Sequence, residues 1–356
     1  MKIVCVGYLH GSGGAERQII MLANALAERG NDVSLIVLCE LNNKYMISER
    51  VTLYDLTTCE SKKGNRFLNR FKALKKAYLS IAPDVTIHYW LQSAYFTAVI
   101  KKDIRGKIIY SERGDPGDKE YKGALGFVKY IAFKKIDGFV FQSEGARDFF
   151  KSDVKKRSVI IHNPISVPEN KYLSASLTRE KRIVTVGRLH PQKNQRLLIE
   201  AFERLSKKIP GYILEIYGEG PLKEEMAKQI KMKRLENKVF LMGAHENIFE
   251  RIYTASLFVL TSDYEGMPNA LMEGMAIGLP CISTDCRPGG ARTLIEDNVT
   301  GWITPIGDID ALYEKMKYVL THIHEAETVA KNGMKIRESH TSKMVFNKWA
   351  AFVKTI

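Results

Sequence analysis

The chain has 356 residues, of which 45% are hydrophobic and 26% charged, and a formal net charge of +14. This is more than one ordinary domain, and the composition suffices for two buried cores. Residues 1–170 hold 27 Lys and Arg against 18 Asp and Glu, so the N-terminal half is the more basic. No apolar run reaches the roughly 18 residues of a membrane span, and the apolar segment at 3–6 is too short for a signal peptide, so a cytoplasmic protein is expected. The five cysteines, Cys5, Cys39, Cys59, Cys281 and Cys286, lack metal-ligand spacing. Reduced, mostly buried thiols are expected, without disulfides or structural zinc.

In chain order, strands are expected over 2–7, 32–38, 85–88, 107–111 and 137–142, with helical stretches at 16–29, 67–81, 93–100 and 145–150. That rhythm predicts an α/β protein whose parallel sheets are joined by crossover helices. The loop after the first strand, Gly7 to Glu16, begins like a dinucleotide fingerprint but has Glu16 at the third glycine position, and it lacks the Gly-Lys-Ser/Thr ending of a P-loop. The basic stretch 62–78 repeats Phe67, Phe71, Leu74 and Tyr78 at helical spacing. Such a helix can dock on its own domain or rest on an anionic membrane surface. No nucleic-acid-binding motif accompanies the charge, so nucleic acid is not an expected partner.

The polar stretch 163–180 reads as a linker, and the pattern restarts at Arg182. Strands are expected over 183–187, 213–218, 239–243 and 256–261, each ending at or near a turn, with a helix over 195–205. Ligands of open parallel sheets lie beyond the carboxyl ends of the strands. There Arg188 and Lys193, five positions apart, can meet a diphosphate from two sides, although solvated loop cations are the bland alternative. Glu265 falls in the following strand-to-helix loop, and Glu273 one turn inside a helix over 268–277 that stops at Gly278. A helix N-terminus suits a phosphate, and flanking carboxylates accept hydrogen bonds from sugar hydroxyls, so the pair reads as a sugar-nucleotide seat, the alternative being an ordinary first-turn acid at Glu273 and a solvated loop acid at Glu265. Asp308-Ile-Asp310 has the form of an Asp-x-Asp metal site but precedes a helical stretch, where capping is the better reading. The histidines show no paired spacing, so no metal site is expected. An amphipathic helix closes the chain over 342–356.

Together, Gly13-Gly14-Ala15-Glu16, Ser143-Glu144, Asn163-Pro164, Val186-Gly187-Arg188-Leu189, Lys193-Asn194, Gly218-Glu219-Gly220-Pro221, Gly243 and Glu265-Gly-Met-Pro-Asn-Ala-Leu-Met-Glu273, running into Gly278-Leu-Pro280, resemble the retaining glycosyltransferases of the GT-B fold, family 4. The resemblance spans nearly the whole chain in the family's order. It implies two Rossmann-like domains facing a cleft, with boundaries placed here at 1–165 for the acceptor domain and 166–340 for the donor domain. A closing helix at 341–356 would cross back to the N-terminal domain.

The implied activity is retaining transfer of a hexosyl group from a nucleotide-diphosphate sugar, UDP-linked, to a saccharide or lipid-linked saccharide in surface polysaccharide or glycan synthesis. No cofactor and no metal are implied. Arg188 and Lys193 would stabilise the leaving diphosphate, Glu273 would hold the ribose hydroxyls, and Glu265 would contact the donor sugar. Backbone groups from Gly266 through Met267, Asn269 and Ala270 would line the sugar and phosphate. Pro268 has no N–H and stands where family members carry Gly. Gly187, Gly218 and Gly243 mark the strand ends around the donor, while Gly13 and Gly14 would let backbone approach its phosphates from across the cleft. On the acceptor side, Glu112, Arg113 and Asp115 stand near the place of a family histidine, and no catalytic role carries over to them. Location on the inner membrane face would follow if the basic stretch 62–78 bound anionic lipid, aided by insertion of Phe67 and Phe71. A nucleotide-sugar 2-epimerase or hydrolase on the same fold is the nearer alternative, and a non-catalytic basic binding module the more distant one.

Overall fold

The structure, a computed structural model, describes residues 1–9, 13–38, 45–56, 66–117, 129, 131–165, 167 and 178–356, with the side chains of Arg66 and Phe67 outside that description. It divides into two compact units, Met1–Asn163 with Lys343–Ile356, and Pro164–Ser342.

In the first unit, seven strands form one sheet: β1 (Lys2–Gly7), β2 (Asp32–Val37), β3 (Val51–Asp55), β4 (Val85–His88), β5 (Lys107–Ser111), β6 (Gly138–Phe141) and β7 (Ser158–Ile160). Their order is β3-β2-β1-β4-β5-β6-β7, and every pairing is parallel. The order reverses between β1 and β4. Every residue of β4 and β6 is buried; β6 is accordingly an unbroken apolar run, whereas β4 buries Thr86 and His88 between its apolar residues. β3 gave no such signal because it is an edge strand with Thr52, Leu53 and Asp55 exposed. β7 is three half-buried residues at the other edge.

The last helix, Ser342–Thr355, belongs to this same unit. Its Val345, Phe346, Trp349 and Val353 join Ile3, Leu26 and Val33 in one buried cluster, so the chain's end completes the core that its beginning opens. The basic helix Arg66–Ile81 also turns its apolar face inward. Leu74 and Tyr78 are fully buried, and Phe71 packs edge-on against Phe96 with ring centroids 6.2 Å apart. Phe71 is half-buried, and the face of its ring against Phe96 belongs to the core of its own unit. Lys62, Lys63 and the side chain of Phe67 lie outside the described residues.

The second unit has six strands, β8 (Glu180–Val186), β9 (Ile213–Tyr217), β10 (Val239–Gly243), β11 (Ala255–Leu260), β12 (Cys281–Thr284) and β13 (Trp302–Thr304). They run parallel in the order β10-β9-β8-β11-β12-β13, reversing between β8 and β11. The two units are therefore both α/β with parallel sheets and crossover helices. One core cluster gathers around Leu198, Phe202, Leu214 and Trp302, and another around Phe258, Leu271 and Met275. Cys5, Cys281 and Cys286 are buried free thiols. Cys39 and Cys59 lie outside the described residues, as do 166 and 168–177 of the linker. No helix among the described residues is long and apolar enough to cross a membrane.

Candidate active site

The candidate side chains collect where the strand order of the second sheet reverses. β8 ends at Val186 and β11 at Leu260, the two strands are neighbours, and each is followed by a loop that leads into a helix. A crevice opens outside the carboxyl ends at such a reversal because the two following connections leave to opposite sides of the sheet.

The loop after β8 carries Gly187 and Arg188, then a single 3-10 turn, Pro191–Lys193, and Asn194 in the left-handed region at φ 45° before the helix Gln195–Lys208. The loop after β11 runs through residues 261–268 to the helix Asn269–Ala276. Side-chain and backbone hydrogen bonds lace the two loops together. Thr261 Oγ1 donates to the Lys193 carbonyl (2.9 Å), Asn194 Nδ2 to Asp263 Oδ1 (2.9 Å) and Gln192 Nε2 to the Tyr264 carbonyl (2.8 Å). Asp263 N in turn donates to the Gln192 carbonyl (2.9 Å).

Within this frame Lys193 Nζ donates to Glu265 Oε1, closing an ion pair whose side chains are 16% and 10% exposed. Ser262 Oγ donates to the same carboxylate oxygen at 2.7 Å. Arg188 is exposed, and among the described residues its guanidinium has no hydrogen-bond or ion-pair partner. Its carbonyl is held by Gln195 Nε2 at 2.8 Å. One of the two expected cations is thus bound to a site carboxylate, and the other faces solvent.

Neighbouring titratable groups register this charge. Burial and then the positive charges of Arg188 and Lys193 push the pKa of His190 below its ordinary value, so it is neutral at neutral pH, with Nδ1 accepting from Gln192 N. Burial, reinforced by the negative charge of Glu265, raises the Cys286 thiol to about 12 and keeps it protonated.

Gly187, Gly218 and Gly243 meet where β8, β9 and β10 end. Gly187 N donates to the Tyr217 carbonyl (2.9 Å) and Gly218 N to the Gly243 carbonyl (2.8 Å). Gly218 sits at φ +138°, and a Cβ there would stand 2.0 Å from the Gly187 carbonyl oxygen, so only glycine lets the ends of β8 and β9 approach this closely. Glu273 is buried in the second turn of the helix Asn269–Ala276. Gly266 and Met267 are buried just before that helix, and Asn269 and Ala270 are half-buried in its first turn. The first-turn N–H groups cannot be met within a helix, and Pro268, as the capping residue, supplies no side-chain acceptor.

The other sequence-derived residues lie elsewhere. Gly13 caps the helix Gly14–Glu28 in the N-terminal unit, at a φ of −69° that any residue can adopt. Glu112, Arg113 and Asp115 follow β5 in that unit and serve its local structure. Glu112 accepts from Tyr110 Oη (2.9 Å) and Gly114 N (2.9 Å), and Asp115 from Gly117 N (2.8 Å). The Arg113 guanidinium lies 3.8 Å over the Tyr89 ring and donates to Asn163 Oδ1 at 2.7 Å. Asp308 is a helix cap, its Oδ1 accepting from Ala311 N (2.9 Å), and Asp310 pairs with Arg204. Among the described residues no group of three metal-ligating side chains occurs. Ser262, Asp263 and Gln195 escaped the sequence reading, and Asn194 entered it only within the Lys193-Asn194 element, because single polar residues in loops carry no periodic or spacing signal.

Comparison with known proteins gives the family. Residues 168–336 match the family Glycosyl transferases group 1, and residues 12–168 match Glycosyltransferase Family 4. The chain is similar along 100% of its length, at 25% identity and over 99% of the relative, to a Campylobacter jejuni enzyme, GalNAc-alpha-(1->4)-GalNAc-alpha-(1->3)-diNAcBac-PP-undecaprenol alpha-1,4-N-acetyl-D-galactosaminyltransferase. A second enzyme of that organism, N-acetylgalactosamine-N,N'-diacetylbacillosaminyl-diphospho-undecaprenol 4-alpha-N-acetylgalactosaminyltransferase, is 27% identical over 88% of each chain. Among solved structures, Anabaena HepE in complex with UDP and glucose superposes with a TM-score of 0.84 at 18% identity, covering 100% of both chains.

Proposed function

The chain being a glycosyltransferase of the GT-B fold, we propose that it transfers a hexosyl group, with retention of configuration, from a UDP-linked sugar held in its C-terminal unit. The acceptor is a saccharide or lipid-linked saccharide of surface polysaccharide or glycan synthesis. The single observation that carries this reading is the Lys193–Glu265 ion pair beside Arg188, exposed and without a partner among the described residues, at the strand-order reversal of the C-terminal sheet. A diphosphate entering there meets Arg188 directly and competes with Glu265 for Lys193. Release of the carboxylate frees Glu265 to accept a hydrogen bond from a hydroxyl of the donor sugar, while Glu273, in the helix that follows, takes the ribose.

As the bond from sugar to phosphate breaks, negative charge grows on the diphosphate. Arg188, Lys193 and the first-turn N–H groups of the helix Asn269–Ala276 stabilise that charge. Retention follows if the acceptor attacks from the face the diphosphate leaves and the departing phosphate takes its proton. That route needs no metal-bound water and no protein nucleophile. Support for the donor and acceptor classes comes from the similar proteins, one solved with UDP and glucose and two named for undecaprenol-linked substrates.

The reaction itself is the test. Incubation with a UDP-sugar and an undecaprenyl-diphosphate-linked saccharide, followed by NMR of the product, is expected to show a new glycosidic bond with the donor's anomeric configuration. Free or epimerised donor sugar alone would replace the transferase reading by a hydrolase or epimerase. With an acceptor of that kind, the reading extends to work at the inner membrane face. Such attachment would draw on the Lys and Arg of the basic helix, so co-sedimentation with anionic vesicles is expected at low ionic strength and its loss at high salt. No co-sedimentation at low ionic strength would remove the membrane.

A further inference from the structure

The N-terminal sheet has a reversal of its own, between β1 and β4, and the residues just beyond those two strands are aromatic rather than charged. Tyr8 comes directly after β1, and Tyr89 and Trp90 directly after β4. The rings of Tyr8 and Trp90 meet edge to face with centroids 5.8 Å apart, and both residues are half-buried. Gly7 makes room for this arrangement, since a Cβ there would stand 2.8 Å from the Trp90 ring. Tyr8 Oη donates to Gln92 Oε1 at 2.7 Å, on the first turn of the helix Leu91–Val99, and the Arg70 guanidinium lies 6.0 Å from the centre of the Tyr8 ring. Of the three tryptophans, Trp302 and Trp349 are fully buried, so Trp90 alone keeps part of its ring at the surface.

The same topological position thus carries two chemistries in one chain. In the C-terminal unit it presents cations and carboxylates suited to a diphosphate sugar. In the N-terminal unit it presents two aromatic rings flanked by an amide and a guanidinium. A pyranose ring matches the second set, having an apolar face of C–H groups that lies on an aromatic ring and an edge of hydroxyls that pair with amide and guanidinium groups. We propose that Tyr8 and Trp90 wall a saccharide-binding subsite of the N-terminal unit, with Gln92 and Arg70 as partners for sugar hydroxyls. That this saccharide is the acceptor rests on the transferase reading above.

The test is saturation-transfer NMR on the intact chain with a panel of disaccharides built from glucose, galactose, N-acetylglucosamine and N-acetylgalactosamine. UDP binding is measured in parallel by calorimetry. At least one disaccharide is expected to receive saturation, strongest on its ring C–H protons, with affinity about 10-fold weaker in Trp90→Ala and a few-fold weaker in Gln92→Ala, both with unchanged UDP binding. Gln92 is exposed, so its variant decides the matter if Trp90→Ala does not fold. Absence of saturation on every disaccharide, or undiminished affinity in the folded variants, overturns the subsite. Failure of UDP to bind the wild-type chain would instead strike the donor reading and leave the saccharide result standing.

Discussion

Lys193 and Glu265, 72 residues apart in the chain, meet as an ion pair beyond the ends of β8 and β11. Both side chains are largely withdrawn from water, and Ser262 Oγ binds the same carboxylate oxygen. Neither charge is well solvated, so each depends on the other until a ligand supplies a substitute. Arg188 has no such dependence, being exposed and unpaired among the described residues.

The two cations should therefore separate experimentally. Arg188→Ala and Lys193→Ala should each lower turnover by about 10²-fold or more, the scale of losing a group that stabilises transition-state charge. Their stabilities should differ: Arg188→Ala should melt like the wild type, while Lys193→Ala, which leaves Glu265 with Ser262 alone, should lose about 1–3 kcal/mol. Steady-state kinetics and thermal melts read both effects, and near-normal turnover of either folded variant would take that residue off the catalytic surface.

Gly218→Ala should disrupt the site without touching its charges. The new methyl would collide with the Gly187 carbonyl at a φ that disfavours side chains, so the ends of β8 and β9 must part. A lower melting temperature together with weakened nucleotide binding is expected from calorimetry. Unchanged binding would mean that the close approach of these strand ends does not shape the donor seat.

His88 gives the N-terminal unit a pH dependence. It is fully buried between Ser93 Oγ (3.0 Å) and Thr86 Oγ1 (3.2 Å), and burial lowers its pKa to about 3. Because the folded pKa lies below the unfolded one, the neutral ring's contribution is fully present above about pH 6.5 and is lost as pH falls from there toward 3, by at most about 1.4 kcal/mol per pH unit. Denaturant melts across that range should show this slope, and His88→Gln should flatten it. An equally steep slope in a folded His88→Gln protein would assign it to other groups.

Transfer should persist in excess chelator. Positive charge at the proposed seat comes from Arg188, Lys193 and a helix N-terminus, and Asp308 and Asp310 are occupied as a cap and an ion pair. Strict dependence of turnover on manganese or magnesium would reopen those two aspartates as ligands.

The chain was legible wherever burial imposed a pattern. Strands such as β11, buried along its whole length, and the amphipathic closing helix announced themselves through unbroken or periodic apolar residues. β12 and β13 did not, because Cys-Ile-Ser-Thr and Trp-Ile-Thr are too short and too polar to separate from loops. The candidate site was legible as a set of charged residues near strand ends, but their pairing was not. That Lys193 reaches Glu265 depends on the left-handed turn at Asn194 and on the hydrogen bonds through Thr261, Gln192 and Asp263, which are tertiary facts. The basic helix left two readings open for a related reason: its spacing shows an apolar face but cannot say whether that face meets lipid or Phe96.

Thermal melting of the wild-type chain and Arg188→Ala, each with UDP and a panel of nucleotide-linked sugars, tests the central claim most directly. A ligand bound only by the folded state at 100 times its Kd stabilises by about 2.7 kcal/mol. UDP and at least one UDP-sugar should raise the wild-type melting temperature by several degrees, and the rise should shrink sharply in Arg188→Ala. If no nucleotide-linked sugar moves the wild-type transition, or if the variant responds like the wild type, the switch point after β8 and β11 is not the nucleotide-sugar seat.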